Sequence, residues 1–297
     1  MATSEIGDFL VSRRAKIRPD QAGLIGAGSN RRVPGLRREE VATLAGVSVD
    51  YYARLERGTL TGVSDEVLAA VARALHLDDA ESAHLTDLAR AHTPGVRPRR
   101  RTAAPQQVRP SIQRFLDAVT GAPAWVRNDR LDFVAANPLA RALYSPVFDF
   151  TNDPANNARF TFLDPKAHDF YPEWERSADD IVAALRGYAG RNPEDRALTD
   201  MIGELATRSA EFGTRWASHN VRHHRTGTKK INHPHVGALE LHYEAMEMIA
   251  DPGLTFCTST VEPTTASHER MQILSNVAAT TEAERRSARQ SAPNSRD

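Results

Sequence analysis

The chain has 297 residues, 40% of them hydrophobic and 26% charged, with 38 basic side chains against 38 acidic ones. A length of about 300 residues is more than one ordinary core fills, so two domains are expected. No apolar run approaches the ~18 residues of a membrane span, the start Met1-Ala2-Thr3-Ser4-Glu5 lacks the basic and apolar segments of a signal peptide, and the single cysteine, Cys257, excludes an intrachain disulfide framework and fits a reducing cytoplasm.

The zero net charge conceals a local excess. Arg13, Arg14, Lys16, Arg18, Arg31, Arg32, Arg37 and Arg38 crowd one segment in which Asp20 is the acid. Such a patch favours a phosphate backbone. Ile6 to Arg18 reads as a first helix with Ile6, Phe9, Leu10 and Ile17 as its apolar stripe. Pro19 to Pro34 reads as a loop. Its glycines Gly23, Gly26 and Gly28 have the wrong order for a phosphate cradle, with no preceding strand and no following Lys-Ser/Thr pair. Arg31 and Arg32 can reach phosphate from it.

Gly35 to Gly58 is the stretch around which the chain is organised. Arg38 to Ala45 reads as a helix with Val41, Leu44 and Ala45 apolar. Gly46 stops it, because glycine enters the left-handed conformation without steric cost. Ser48 is a natural N-cap for a second helix over Val49–Arg57, ending at Gly58. Tyr52 and Leu55 face inward, with Val47 packing from the turn. Val49, Asp50, Tyr51 and Arg54 lie on the other side. A helix this short holds only by packing its inner face on neighbours. Two short helices about a tight turn form the helix-turn-helix pattern, with the second helix as reader.

The stretch resembles the Xre type of the lambda-repressor-like family, whose recognition helix ends as Arg54-Leu55-Glu56-Arg57-Gly58 does here. The resemblance implies base reading by Val49, Asp50, Tyr51 and Arg54, and phosphate contacts from Arg37, Arg38, Ser48 and Arg57, with Arg31 and Arg32 beside them. The preceding segment, Arg31 to Val41, resembles the actinobacterial branch of the family. Two further helices follow. Ser64 to His76 has Val67, Leu68, Val71 and Leu75 inward and Asp65 and Glu66 in its first turn, where the dipole favours acids. Asp78 to His92 runs through Ala80, Leu85 and Leu88. Residues 1–92 are thus expected to form one all-helical domain.

Residues 93–106 read as a Pro/Arg-rich linker, with Arg97, Arg99, Arg100 and Arg101 repelling one another. Residues 107–277 read as α+β. Val108 to Thr120 is an amphipathic helix built on Ile112, Phe115, Leu116 and Val119. Ala124–Arg127 and Leu131–Ala136 form a strand pair turning at Asn128-Asp129. Pro138 opens a helix at its first position. Helices are expected through Ile181, Val182 and Leu185, and from Pro193 to Leu205. Ser209 to Ser218 adds Phe212 and Trp216. Strands are expected at Asn220–Arg225, Lys229–His233, Ala238–Ile249 and Leu254–Val261, with turns at Thr226-Gly227 and Asp251-Pro252-Gly253. A closing helix spans Thr264–Val277. The tail 278–297 reads as disordered.

Trp125 through Tyr144, Phe170-Tyr171-Pro172-Glu173-Trp174 and His233-Pro234-His235-Val236-Gly237 resemble the ligand-binding domain of MmyB-type regulators, and the strand–turn–strand opening before Asn137-Pro138-Leu139-Ala140 resembles PAS-type sensors. The fold class expected is two-domain: an all-α helix-turn-helix N-terminal domain, then an α+β PAS-like domain with an antiparallel sheet. The resemblance implies an apolar pocket and a fatty-acid-like ligand. Aromatic density assigns that pocket to Phe115, Trp125, Phe133, Trp174, Phe212 and Trp216, with Arg222, His223 or Arg225 to meet a carboxylate.

Catalytic chemistry finds no constellation. His223, His224, His233, His235 and His242 lack a neighbouring Cys or a His-Glu-x-x-His helix, so they read as turn and surface histidines rather than metal ligands. Cys257 lies in an apolar-alternating strand, where a thiol is inert, and no Gly-x-Ser-x-Gly elbow exists. No cofactor and no metal are expected. The reading is a cytoplasmic, non-enzymatic regulator that binds double-stranded DNA at a palindromic operator as a homodimer, without a membrane, and senses a small apolar ligand. A second domain that only dimerises or binds a protein, an enzyme with a DNA-binding appendage, and an antitoxin remain as alternatives.

Overall fold

A computed structural model describes residues 5–24, 33–59, 62–91, 107–150, 154–220 and 226–291. Arg31, Arg32, Arg222, the linker expected over 93–106 and all but the first residue of the strand expected at Asn220–Arg225 lie outside them.

The first helices form because their ends are locally closed. Helix α1 (Glu5–Lys16) has Glu5 and Asp8 in its first turn and Arg13, Arg14 and Lys16 in its last, complementing its dipole. Helix α2 (Arg38–Ala45) stops at Gly46, whose φ of 68° is the left-handed conformation, with Val47 N–H returning to the Ala42 carbonyl at 3.0 Å. Helix α3 (Val49–Glu56) starts on Ser48, whose hydroxyl accepts from Tyr51 N–H at 3.1 Å. Helix α4 (Asp65–Ala74) starts on Ser64 in the same way. Helix α5 (Asp79–Ala91) opens with a reciprocal box, Asp78 accepting from Glu81 N–H at 2.8 Å and Glu81 from Asp78 N–H at 3.1 Å. Phe9, Leu10, Leu36, Val41, Tyr52, Val71 and Leu85 are buried in one core. Leu44, expected inward, is 38% exposed. Val41, Ala42 and Ala45 occupy the inward arc instead.

The second half begins with α6 (Pro110–Ala118), β1 (Ala124–Asn128) and β2 (Phe133–Ala136), then short helices α7 (Pro138–Leu143), α8 (Ser145–Asp149), α9 (Asn157–Leu163) and α10 (Lys166–Phe170). Longer helices α11 (Trp174–Arg191), α12 (Arg196–Arg208) and α13 (Ala210–Ala217) follow, then β3 (Thr226–His233), β4 (Gly237–Glu247), β5 (Leu254–Thr260) and α14 (Ala266–Ser291). The sheet is antiparallel in the order β2-β1-β5-β4-β3. Asn137 explains the Asn-Pro start of α7. Its buried amide donates to the Val119 and Ala122 carbonyls at 2.7 and 2.8 Å and accepts from Ala124 and Ala140 N–H at 3.1 and 2.8 Å. One side chain thereby ties the end of α6, the start of β1 and the cap of α7 with every polar atom satisfied.

The chain divides into two compact units: Met1–Thr102 with Val182–Asp200 and Gly213–His223, and Ala103–Ile181 with Met201–Phe212 and His224–Asp297. In the first, His84 of α5 meets the Phe9 ring edge-on at 5.1 Å, and a Cβ on Gly190 of α11 would lie 2.6 Å from the His84 ring, so only glycine fits there. In the second, the inner face of the sheet buries Trp125, Phe133, Cys257, Leu241 and Ile231 under α7 to α11, while α6 covers Val126 and Ala135 on the outer face.

Two expectations are corrected. Thr226-Gly227 is no turn; both residues belong to β3, paired with Glu244 and Tyr243. The glycine serves close approach instead, since a Cβ there would stand 3.0 Å from the Tyr243 hydroxyl. The segment after Thr280 is not structureless as far as Ser291, because α14 runs through it. Ala, Glu and Arg are strong helix formers, and they extend a helix already anchored at Met271, Leu274 and Ala278.

Candidate nucleic-acid interface and ligand-binding core

The turn and caps of α2 and α3 fix which residues face outward. Tyr52, Leu55 and Glu56 are buried, so the opposite arc of α3 presents Val49, Asp50 and Arg54 to solvent, with Tyr51 half-buried at its edge. Val49 is 49% exposed. Chemically the row is mixed. An arginine pairs with guanine O6 and N7, a carboxylate accepts from cytosine N4, and an aliphatic group meets a thymine methyl. Ser48 is exposed at the start of α3. Arg37 and Arg57 are exposed at the cap of α2 and the end of α3.

Arg38 brings in a residue that sequence reasoning missed. Its Nε donates to Glu56 at 3.0 Å, and Arg14 of α1 donates to the other Glu56 oxygen at 2.9 Å. Glu56 is 1% exposed, Arg14 15% and Arg38 54%. Arg14 also donates to the Leu36 carbonyl at 2.7 Å, and a Cβ on Gly35 would strike the α1 backbone at 2.6 Å. One buried carboxylate therefore ties the end of α1 and the start of α2 to the end of α3. The signal was present in sequence: an acid four residues after Tyr52 lies on the buried arc, where an acid needs a cation.

The residues expected at the ligand pocket separate into groups. Trp125 and Phe133 stack at 6.0 Å and both meet Tyr144, at 5.1 and 5.5 Å. Trp174 and Phe212 both pack on Phe162, at 5.9 and 5.0 Å, and the Trp174 indole donates to the Thr161 carbonyl at 3.0 Å. Phe115 lies elsewhere, 53% exposed and against Phe256 on the outer side of the sheet. Trp216 falls in the first unit, its ring 4.0 Å from the Arg186 guanidinium. A groove of about 970 Å³ runs between α6, α7 and α14, lined by Asp117, Val119, Leu139, Arg141, Ala278 and Glu282. None of the expected pocket residues lines it.

The titratable groups of the core are set by burial. It raises the Tyr144 and Tyr171 hydroxyls and the Cys257 thiol, which keeps that sulfur an inert thiol. It pushes the Lys229 ammonium down to about 8. His233 is a hairpin residue: its Nδ1 accepts from His235 N–H at 3.2 Å, so its Nε2 carries the proton donated to the Ala142 carbonyl at 2.9 Å. No His, Cys, Asp and Glu cluster suited to a metal occurs among the described residues. No described helix is long and apolar enough to cross a membrane.

A helix-turn-helix on a small helical bundle, ahead of an antiparallel sheet with helices on both faces, is the layout of a DNA-binding transcription regulator with a ligand-binding domain. Residues 5–85 match the helix-turn-helix domain family. Residues 108–274, more than half of the chain, match the MmyB-like transcription regulator ligand binding domain, and the chain belongs to that family of regulators. Among curated proteins, none matches the chain.

Proposed function

We propose that this protein is a cytoplasmic, non-enzymatic regulator that binds a palindromic operator as a homodimer and is tuned by a small apolar, fatty-acid-like ligand. Val49, Asp50, Tyr51 and Arg54 read base edges. Arg31, Arg32, Arg37, Arg38, Ser48 and Arg57 hold phosphates, which positions the helix without carrying sequence information. The observation that carries the reading is the exposed arc of α3, backed by a carboxylate that pins the helix from behind. Ligand control follows only if the ligand prefers one arrangement of the protein over another. The test is a footprint on the DNA upstream of the gene, with and without lipid extract, combined with mass spectrometry of the denatured protein. Protection that changes with extract, together with a released lipid, supports the reading.

A second reading, in which the rear domain only dimerises, is favoured by a specific feature. Ile273 and Val277 project one turn apart from α14, each more than half exposed. A dimer whose footprint ignores lipid, and whose denatured form releases none, would support it.

A further inference from the structure

Two stretches inside the ligand-binding match, 182–200 and 213–223, fold into the same compact unit as residues 1–102. Buried polar contacts hold them there. Arg186 of α11 is 1% exposed. Its guanidinium lies 4.0 Å from the Trp216 ring, donates to the Trp216 carbonyl and to His219 Nδ1 at 3.1 Å, and reaches Glu5 of α1 at 3.8 Å. Arg13 of α1, 6% exposed, donates to the His219 carbonyl, to Asn220 at 3.3 Å and to Glu81 of α5. Lys16 donates to Asn220 at 2.6 Å. Two cations of the basic segment, Arg13 and Lys16, are therefore engaged inside the protein.

His219 sits between the two arginines with a φ of 54°, a left-handed conformation that a non-glycine residue enters rarely and keeps where its surroundings enforce it. The Nε atoms of Arg13, Arg14 and Arg186 are buried without hydrogen-bond partners among the described residues. Strain and unmet donors gathered at one place cost stability, and they collect at sites that switch. Arg13 and Arg14 are consecutive in the last turn of α1. Arg13 faces the 219–220 segment, while Arg14 donates to Glu56 at the end of α3 and to the Leu36 carbonyl ahead of α2. Helix α11 starts with Trp174 and Ala178 in the aromatic core of the second unit, and from Val182 onward it belongs to the first.

We propose that the last turn of α1 is the coupling element between the ligand-binding region and the DNA-reading helix: Arg13 follows the 216–220 segment, and Arg14 passes its position to α3 through Glu56. The inference rests on the base-reading role proposed above for α3 and adds how that helix is regulated. A ligand that reorders the core around Trp174 acts on the helix that carries Arg186. A shift of Arg186 releases the strained His219, deprives Arg13 and Lys16 of their acceptors, and loosens the turn from which Arg14 holds Glu56. Coupling of this kind requires two arrangements of the cluster rather than a fixed wire of contacts.

The test is hydrogen exchange, read by mass spectrometry on the full-length protein without DNA or ligand. Arg186→Met keeps bulk against Trp216 and removes the guanidinium bonds; Asn220→Ala removes an exposed acceptor and leaves the core intact. Both variants should speed exchange across Val49–Glu56 by about fivefold, the loss of roughly one hydrogen bond of support, while α4 stays within about twofold of wild type. In a Glu56→Gln background, where the link is already cut, Asn220→Ala should add nothing further at α3. Unchanged exchange at α3 in either variant overturns the coupling. So does equal acceleration of α3 and α4, which means general loosening of the bundle, and so does a full further increase in the Glu56→Gln background. The readout uses no DNA, so these failures leave base reading by α3 standing.

Discussion

Replacing Glu56 by glutamine tests how the reading helix is held. The side chain keeps its shape and one acceptor but loses its charge. Arg14, 15% exposed, is left as a largely buried cation with neutral acceptors alone, the Leu36 carbonyl and the glutamine oxygen. Breaking a buried pair by removing one partner costs about 3–5 kcal/mol, and the retained acceptor places this case near the lower end. The half-exposed Arg38 adds about 0–1 kcal/mol. The expected loss is about 3 kcal/mol. For a helical bundle of about 90 residues that is a large share of the ~4–13 kcal/mol available. Scanning calorimetry of the full chain should show the helical transition falling by about 10 °C or more. Operator affinity should fall with it, although Glu56 faces away from the reading surface. The double variant Arg14→Met, Glu56→Met should recover part of the loss, because an apolar pair of similar volume removes the stranded charge. A Glu56→Gln protein melting within about 2 °C of wild type would refute the ion-pair account.

Two further outcomes follow from named contacts. Arg38→Ala should weaken specific and non-specific DNA binding together and reduce the salt slope by about one unit, with little change in melting because the residue is half exposed; loss of specific binding at an unchanged slope would contradict it. His84→Leu concerns acid stability. Burial lowers the His84 pKa to about 3, helped by Arg186, Arg191 and Arg13, and both ring nitrogens lack hydrogen-bond partners. Below the unfolded value of about 6.5 the unfolded chain binds the proton and the folded chain does not, so stability falls as pH drops toward 3, by up to about 1.4 kcal/mol per pH unit. His84→Leu should melt higher at pH 7 and narrow the melting gap between pH 7 and pH 5. The same gap in both proteins would sink the argument.

Local signals made the reader legible. Gly46, Ser48 and Gly58 fix the ends of α2 and α3 through backbone conformation and a single side-chain bond, which depend on nothing distant. The strands were legible where alternation is strong, as in Leu239 and Leu241 between exposed Ala238, Glu240 and His242. Long-range partners were not legible. Arg14 meets Glu56 across 42 positions, and no local pattern says which arginine a buried acid will choose. Gly227 carries the same local signal whether it turns the chain or makes room for Tyr243, and tertiary packing decided between them. Phe115 belongs to an amphipathic pattern, but which sheet face the helix covers is set by topology. Low apolar content after Thr280 suggested disorder, while helix propensity and the anchored first half of α14 gave a helix. Lys229 sits at a core-facing register position, and alternation alone gives no reason for a lysine there.

The central claim is that the exposed arc of α3 reads DNA sequence. Competition between the footprinted upstream site and a scrambled duplex, for wild type and Arg54→Ala at one salt concentration, tests it most directly. Arg54→Ala should lose about 1–3 kcal/mol of operator affinity, keep most of its affinity for scrambled DNA, and relax preference at one base pair. A specificity ratio equal to that of wild type would contradict the claim.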